Sequence, residues 1–197
     1  MSIEKTAEAL RNRGYTVTCF ETKEEAADYL VSLFENEIIG IGGSRTIGSL
    51  NVYDRLKEKN KLWYNQTEPV MARDMFREYT AYLCSVNGLS ETGEMVNIDG
   101  LGNRLASTLY GPKKVVFVVG KNKITPDLSS AIERARQIAA PLNAKRLKKN
   151  TPCAVTGKCI DCKSPDRICG AMVIYMKPLN GFETPQEVIL VNEDLGL

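Results

Sequence analysis

Between Lys113-Lys114 and Gly120 the chain runs through Val115-Val116-Phe117-Val118-Val119 with no polar interruption. A strand with one wet face alternates apolar and polar residues, so an unbroken apolar run of this length reads as a strand covered on both faces. Other strand-like segments, Tyr15–Phe20, Glu37–Ile41, Leu62–Tyr64, Ala81–Val86, Met95–Ile98, Ala171–Met176 and Glu187–Val191, alternate with helical patterns. That alternation argues for an α/β architecture with a mostly parallel sheet and helices on both faces.

The helices carry their own signals. Ile3–Arg13 places Ile3, Ala7 and Leu10 on one face and is stopped by Gly14. Lys23–Glu35 opens with Thr22 as N-cap and Glu25 completing a capping box. Further helices are expected over Thr46–Lys59, Pro69–Glu78, Gly102–Leu109, Asp127–Ala140 and, after Pro141, Asn143–Lys149. Asn87–Gly93 reads as a polar loop. Thr151–Gly170 holds four cysteines and two prolines with little periodicity. The expectation is one domain over residues 1–197, with a cysteine-rich insertion at about 151–170 before the last strands.

A chain of 197 residues can bury a core without disulfide or metal staples. With 43% hydrophobic and 25% charged residues, disorder, collagen and disulfide miniproteins are excluded. No apolar run nears the ~20 residues of a membrane span, and Met1–Lys5 does not open a signal peptide. A cytoplasmic protein is expected. Histidine is absent, which removes Ser-His-Asp triads, Cys-His dyads and histidine metal ligands. Acid–base work near neutrality falls to carboxylates, lysines, thiols or water. Gly111–Gly170 carries thirteen lysines and arginines against four aspartates and glutamates. A basic segment on an otherwise acidic body points to an anionic ligand or an acidic partner, or simply to a solvated basic face.

Four segments hold the chemistry. Cys153, Cys159, Cys162 and Cys169 have the spacing C-x5-C-x2-C-x6-C. Clustered thiols in a cytosolic chain point to metal or redox chemistry more than to structural disulfides. Zinc or a four-iron cluster, reactive or disulfide-forming thiols, and an inert loop all remain open. Cys19 and Cys84 fall in strands and read as core filler. Next, Ile41-Gly42-Gly43-Ser44-Arg45-Thr46 joins a buried strand to a helix. Gly43, Ser44 and Thr46 there would let an anion approach the backbone, or form a tight turn with an N-cap. Third, Ser90-Glu91-Thr92-Gly93-Glu94 and Asp99-Gly100-Leu101-Gly102-Asn103-Arg104 offer Glu91 or Asp99 as base or nucleophile, Thr92 and Gly93 beside them, and Asn103 and Arg104 to orient an anion. Ordinary turn chemistry is the plainer reading of the same residues. Last, Lys121-Asn122-Lys123 follows the best strand. The loops at Ser44, Glu91, Asn103 and Lys121 are expected at the carboxyl edge of the sheet, where open α/β sheets bind ligands.

Taken in order, Ser90–Glu94, Asp99–Arg104, Gly111–Ile124, the stretch Arg134–Arg146 with its Ala-Ala-Pro-Leu-Asn-Ala-Lys-Arg end, and Pro152-Cys153 with the later cysteines resemble the lactate-utilisation (LUD) domain family. The resemblance covers nearly the whole chain and is strongest from Asn87 to Cys169. It implies a three-layer α/β/α fold similar to the sugar-phosphate isomerase and CoA-transferase group. It also implies a link to bacterial oxidation of lactate to pyruvate beside iron–sulfur proteins. The chain lacks the long ferredoxin-like extension of the iron–sulfur subunit, so it resembles the small subunit or a stand-alone member. In the wider fold group a glutamate after a central strand attacks CoA thioesters, and Glu91 is the corresponding position.

Two functions follow as expectations. In the first, the chain supports oxidation of a small hydroxy acid such as lactate, as a redox or accessory subunit next to iron–sulfur oxidoreductase subunits. In the second, it is an isomerase- or CoA-transferase-like enzyme acting on an anionic small molecule, a sugar phosphate or acyl-CoA. A nucleic-acid module is disfavoured, because the basic segment has few aromatics and no recognition motif.

Overall fold

Burial on both faces organises the fold around strands β1 (Thr16–Phe20), β2 (Ile38–Ile41), β3 (Lys61–Tyr64), β4 (Ala81–Cys84), β7 (Lys114–Gly120) and β10 (Glu187–Val191). A computed structural model describes residues 1–64, 78–181, 183 and 185–197. These six strands form one parallel sheet in the order β1-β10-β7-β4-β2-β3. Side chains alternate across it. Tyr82, Cys84, Val115, Phe117, Val119, Val188 and Leu190 face one way. Ala81, Leu83, Val116, Val118, Ile189 and Val191 face the other. The continuous apolar run in β7 is thus explained, since both of its faces are core.

Helices α2 (Lys23–Ser32), α3 (Arg45–Ser49) and α4 (Tyr53–Lys57) cover the second face through Ala26, Leu30, Ile47 and Leu56. On the first face lie α1 (Ile3–Asn12), through Ala7 and Leu10, and a small sheet that the sequence did not announce. Its strands are β5 (Gly88–Ser90), β6 (Met95–Asp99), β8 (Ile124–Thr125) and β9 (Ala171–Tyr175), in the order β8-β5-β6-β9. Val96 and Ile98 on its far side meet Ala131 and Ala135 of the helix that starts with α6 (Leu128–Arg134). The architecture is three-layer α/β/α, with the mixed sheet set into one outer layer.

Several expectations are corrected. The helix expected over Thr46–Lys59 is two short helices, because Asn51 takes a left-handed φ of 53° between α3 and α4. Asn87–Gly93 is not all loop: Gly88–Ser90 is β5, fully buried, with Gly88 against the backbone of Ala131. Cys19 is exposed, not core filler, because β1 is the sheet's edge strand and only Val17 of it is fully buried. Cys84 is buried as expected. Asp127–Ala140 and Asn143–Lys149 are one continuous run. After α6 comes a wide π turn over Ala135–Ala139, then α7 (Ala140–Arg146). The wider turn carries the chain past Pro141, whose ring offers no N–H to a regular ladder. Between β6 and α6 the helix α5 spans Asn103–Leu109, and α8 (Pro152–Thr156) opens the cysteine segment. The helix expected over Pro69–Glu78 lies outside the described residues except for Glu78, which is in a turn. No described helix is long and apolar enough to cross a membrane.

Candidate functional site

Parallel strands deliver their following loops to one edge, so the carboxyl ends of β2, β4 and β7 bring Gly42–Thr46, Ser85–Asn87 and Lys121–Lys123 together. The short 3-10 turn Lys121–Lys123 after β7 directs its two lysines differently. Lys121 stays exposed, and its backbone N–H donates to the Glu193 carbonyl at 3.0 Å. Lys123 turns inward and is only 3% exposed.

Lys123 is the centre of the cluster. Its Nζ donates to Thr46 Oγ1 at 2.8 Å and to Ser85 Oγ at 3.0 Å. Thr46 Oγ1 in turn donates to the Leu195 carbonyl at 3.3 Å. Burial, then the nearby guanidiniums of Arg134 and Arg104, lowers the amine from its ordinary 10.5 to about 7. Arg134 is itself buried; it donates through Nε to the Asn122 carbonyl at 2.9 Å and through Nη1 to the Asn87 carbonyl. Arg104 reaches Asn87 Oδ1 at 3.4 Å and the Ile98 carbonyl. Its stem lies over the position where a side chain on Gly42 would project. Asn87 therefore sits between the two arginines, and its Oδ1 also accepts from Ile98 N at 2.8 Å. Among the described residues neither Lys123 nor Arg134 pairs with a carboxylate. Arg104 has Asp99 at 3.8 Å, but the buried Lys123 and Arg134 have no matching acid among the described residues, which leaves an excess of positive charge at this sheet edge.

The neighbouring thiol adds no chemistry. Burial pushes Cys84 up to about 12, so it stays protonated.

The residues expected from sequence divide into two groups. Thr46, Arg104 and Asn122 belong to the cluster: Asn122 lends its carbonyl to Arg134, and its Oδ1 accepts from Leu195 N at 3.1 Å. Ser44 caps α3 by accepting from Ile47 N at 3.2 Å. Gly43 is exposed with open space around it. The close approach falls one residue earlier, at Gly42, where a Cβ would sit 2.8 Å from Tyr82 Oη. Asn103 opens α5 beside Arg104. Asp99 holds the start of α5, its Oδ2 accepting from Arg104 N at 3.1 Å and Leu105 N at 3.3 Å, with the Arg104 Nε at 3.8 Å.

Glu91, Thr92 and Gly93 form the turn between β5 and β6, against α1. Glu91 Oε1 accepts from Ser2 N at 2.5 Å and faces the chain's ammonium at 4.0 Å. Thr92 bonds Ser90 and, at 2.5 Å, Glu94. Gly93 has φ +91° where a side chain would meet Arg13, which pairs with Glu94. The side-chain bonds of Glu91 run to the chain's first two residues, so the structure does not bring it to Lys123.

Ser85, Asn87 and Arg134 were missed by site reasoning from sequence, and Lys121 was chosen over Lys123. No pattern marked Ser85, and Arg134 entered only as the first residue of the Arg134–Arg146 stretch, with no role at the site. The turn that buries Lys123 and exposes Lys121 is a matter of backbone geometry.

Cys153, Cys159, Cys162 and Cys169 line one small cavity with Arg136, Ile160, Arg167 and Ile168. All four are free thiols.

Comparison with known proteins bears on the family and the fold. The LUD domain family model matches residues 3–191. A crystal structure of a DUF162 family protein from Deinococcus radiodurans is similar, with a TM-score of 0.55 and 14% identity over 96% of this chain and 95% of that one. At that identity the likeness bears on the fold alone. No curated protein matches in sequence.

Proposed function

Since the chain belongs to the LUD domain family, we propose that it serves a role related to lactate utilisation, binding a small carboxylate such as a 2-hydroxy acid at the Lys123 cluster. The observation that carries this reading is Lys123: buried, held by two hydroxyls, flanked by Arg104 and Arg134, and without a carboxylate partner among the described residues. A bound carboxylate would supply the missing negative charge and raise the amine back toward its protonated form. Arg104, partly exposed, is the group that meets the ligand first.

Oxidising a hydroxy acid to an oxo acid releases two electrons and two protons. Lysine, arginine, serine and threonine side chains accept no electrons. In this reading the chain binds and orients the acid, and the electrons pass to an acceptor outside the cluster, such as an iron–sulfur oxidoreductase subunit. The second reading, an enzyme acting on a sugar phosphate or acyl-CoA, is favoured by the same amine. Half neutral near pH 7, Lys123 can take a proton from a bound substrate.

Thermal shift with L-lactate, pyruvate, inorganic phosphate and an acyl-CoA tests both readings, because a ligand that binds only the folded state raises the melting point with concentration. The first expects lactate or pyruvate to stabilise the protein, with affinity lost about tenfold in both Arg104→Met and Lys123→Met. Stabilisation by phosphate or acyl-CoA alone selects the second. No stabilisation by any of them refutes an anion site.

A further inference from the structure

We propose that Cys153, Cys159, Cys162 and Cys169 ligate a four-iron, four-sulfide cluster in the cavity they share. The site shares no residue with the Lys123 cluster and stands whether or not that cluster binds an acid. The sequence leaves zinc and iron–sulfur open; four thiols and two arginines around one cavity favour the larger, anionic cluster. A tetrahedral zinc with Zn–S bonds of about 2.3 Å draws its four sulfurs against one another. Among the described residues no group of three or more cysteine, aspartate or glutamate side chains is set to hold a metal ion. Yet all four thiols line one cavity. A cuboidal cluster suits such a ring, since each thiolate binds a different iron at a corner of the inorganic core.

The segment is held in shape largely by contacts to its backbone. Arg167 donates to the carbonyls of Cys162 at 2.7 Å and Cys169 at 3.0 Å, and to Asp161 at 2.9 Å. Asp161, in the left-handed region at φ 53°, also faces Arg136 at 3.5 Å. Gln137 clamps the backbone of Cys159 from both sides, accepting from its N–H at 3.0 Å and donating to its carbonyl at 3.5 Å. Ser164 and Asp166 tie the loop back to Asn150 at 2.8 and 3.0 Å. The backbone is thereby fixed with the thiols around one space, the preorganisation that a multi-thiolate site needs.

Charge and surroundings agree. A cluster with four thiolate ligands is anionic, and Arg136 and Arg167 line the cavity. Ile160, Ile168 and Ala140 add apolar wall. The Thr151 hydroxyl lies 3.4 Å from Cys153 Sγ, the kind of hydrogen bond to sulfur that adjusts a cluster's potential.

The full chain, purified without oxygen, is assayed for iron, acid-labile sulfide and zinc, and its visible spectrum is recorded before and after dithionite. About four iron and four sulfide per chain are expected, with a broad visible absorption that dithionite bleaches. In the Cys159→Ser/Cys162→Ser double variant, bound iron is expected to fall at least about tenfold while the far-ultraviolet circular dichroism is kept. If that variant does not fold, metal-free wild-type chain treated with ferrous iron and sulfide takes its place, and it is expected to take up the same cluster. Stoichiometric zinc, disulfide-paired thiols, or a chain that stays iron-free after reconstitution overturns the proposal.

Discussion

Replacing Lys123 with methionine removes a buried amine while keeping a side chain of similar length. Folding moves this group from 10.5 to about 7. Between those values the unfolded chain holds a proton that the folded chain has released, so the group makes stability rise with pH across that window. Below about 7 and above about 10.5 its contribution is flat. A full unit of pH inside the window amounts to about 1.4 kcal/mol. From pH 7, where the folded amine is half protonated, to pH 9, the gain comes to about 2 kcal/mol. The variant loses this slope. It also leaves the Ser85 hydroxyl without its lysine, a pH-independent cost of about 1 kcal/mol, while Thr46 keeps the Leu195 carbonyl. Urea unfolding of both proteins at pH 7, 8 and 9 reads the effect. The wild-type midpoint is expected to climb relative to the variant's by about 1 M over that range. Parallel pH profiles for the two proteins would show that the amine is not held near neutrality and would refute the reasoning.

Three further outcomes follow from the contacts. Asp99→Ala strips the start of α5 of its acceptor for Arg104 N and Leu105 N, and a loss of about 1–2 kcal/mol is expected in chemical denaturation. Gly120→Ala would set a Cβ 2.6 Å from Leu195 N and 2.7 Å from the Glu193 carbonyl; a loss of about 1–3 kcal/mol and faster proteolysis near residues 193–195 are expected. Cys84, fully buried with its thiol pushed up to about 12, is expected to resist a thiol reagent in the native protein at pH 8 and to react only in denaturant, whereas Cys19, exposed but with its thiol also raised by partial burial, reacts slowly in the native protein.

The central sheet was open to reading because both faces of its strands are core. Val115–Val119, Ala81–Leu83 and Val188–Val191 announce that burial in composition alone. The capping box at Thr22 and Glu25 was equally plain, since it is local, and it is present with both of its hydrogen bonds. What sequence hid is tertiary. Gly88–Ser90 carries too few residues to signal a strand, and only its neighbours β6 and β8 make it one. Asn51 breaks a helical pattern through a backbone angle that asparagine tolerates without announcing. At the site, Arg104 and Thr46 were legible as polar residues at strand ends. Lys123 was not separable from Lys121, because one turn of backbone buries the first and exposes the second. Arg134 was out of reach because it arrives from α6, far along the chain, to bridge the carbonyls of Asn87 and Asn122.

Calorimetric titration of the protein with pyruvate and with L-lactate at pH 8, in two buffers of different ionisation enthalpy, tests the anion site most directly. A carboxylate that restores the charge on Lys123 must draw a proton from the buffer. The account predicts binding with uptake of up to about 0.9 proton per site, since an amine with pKa about 7 is mostly neutral at pH 8. It also predicts that Lys123→Met abolishes the uptake. An absence of binding by either acid, or binding with the same heat in both buffers, would contradict it.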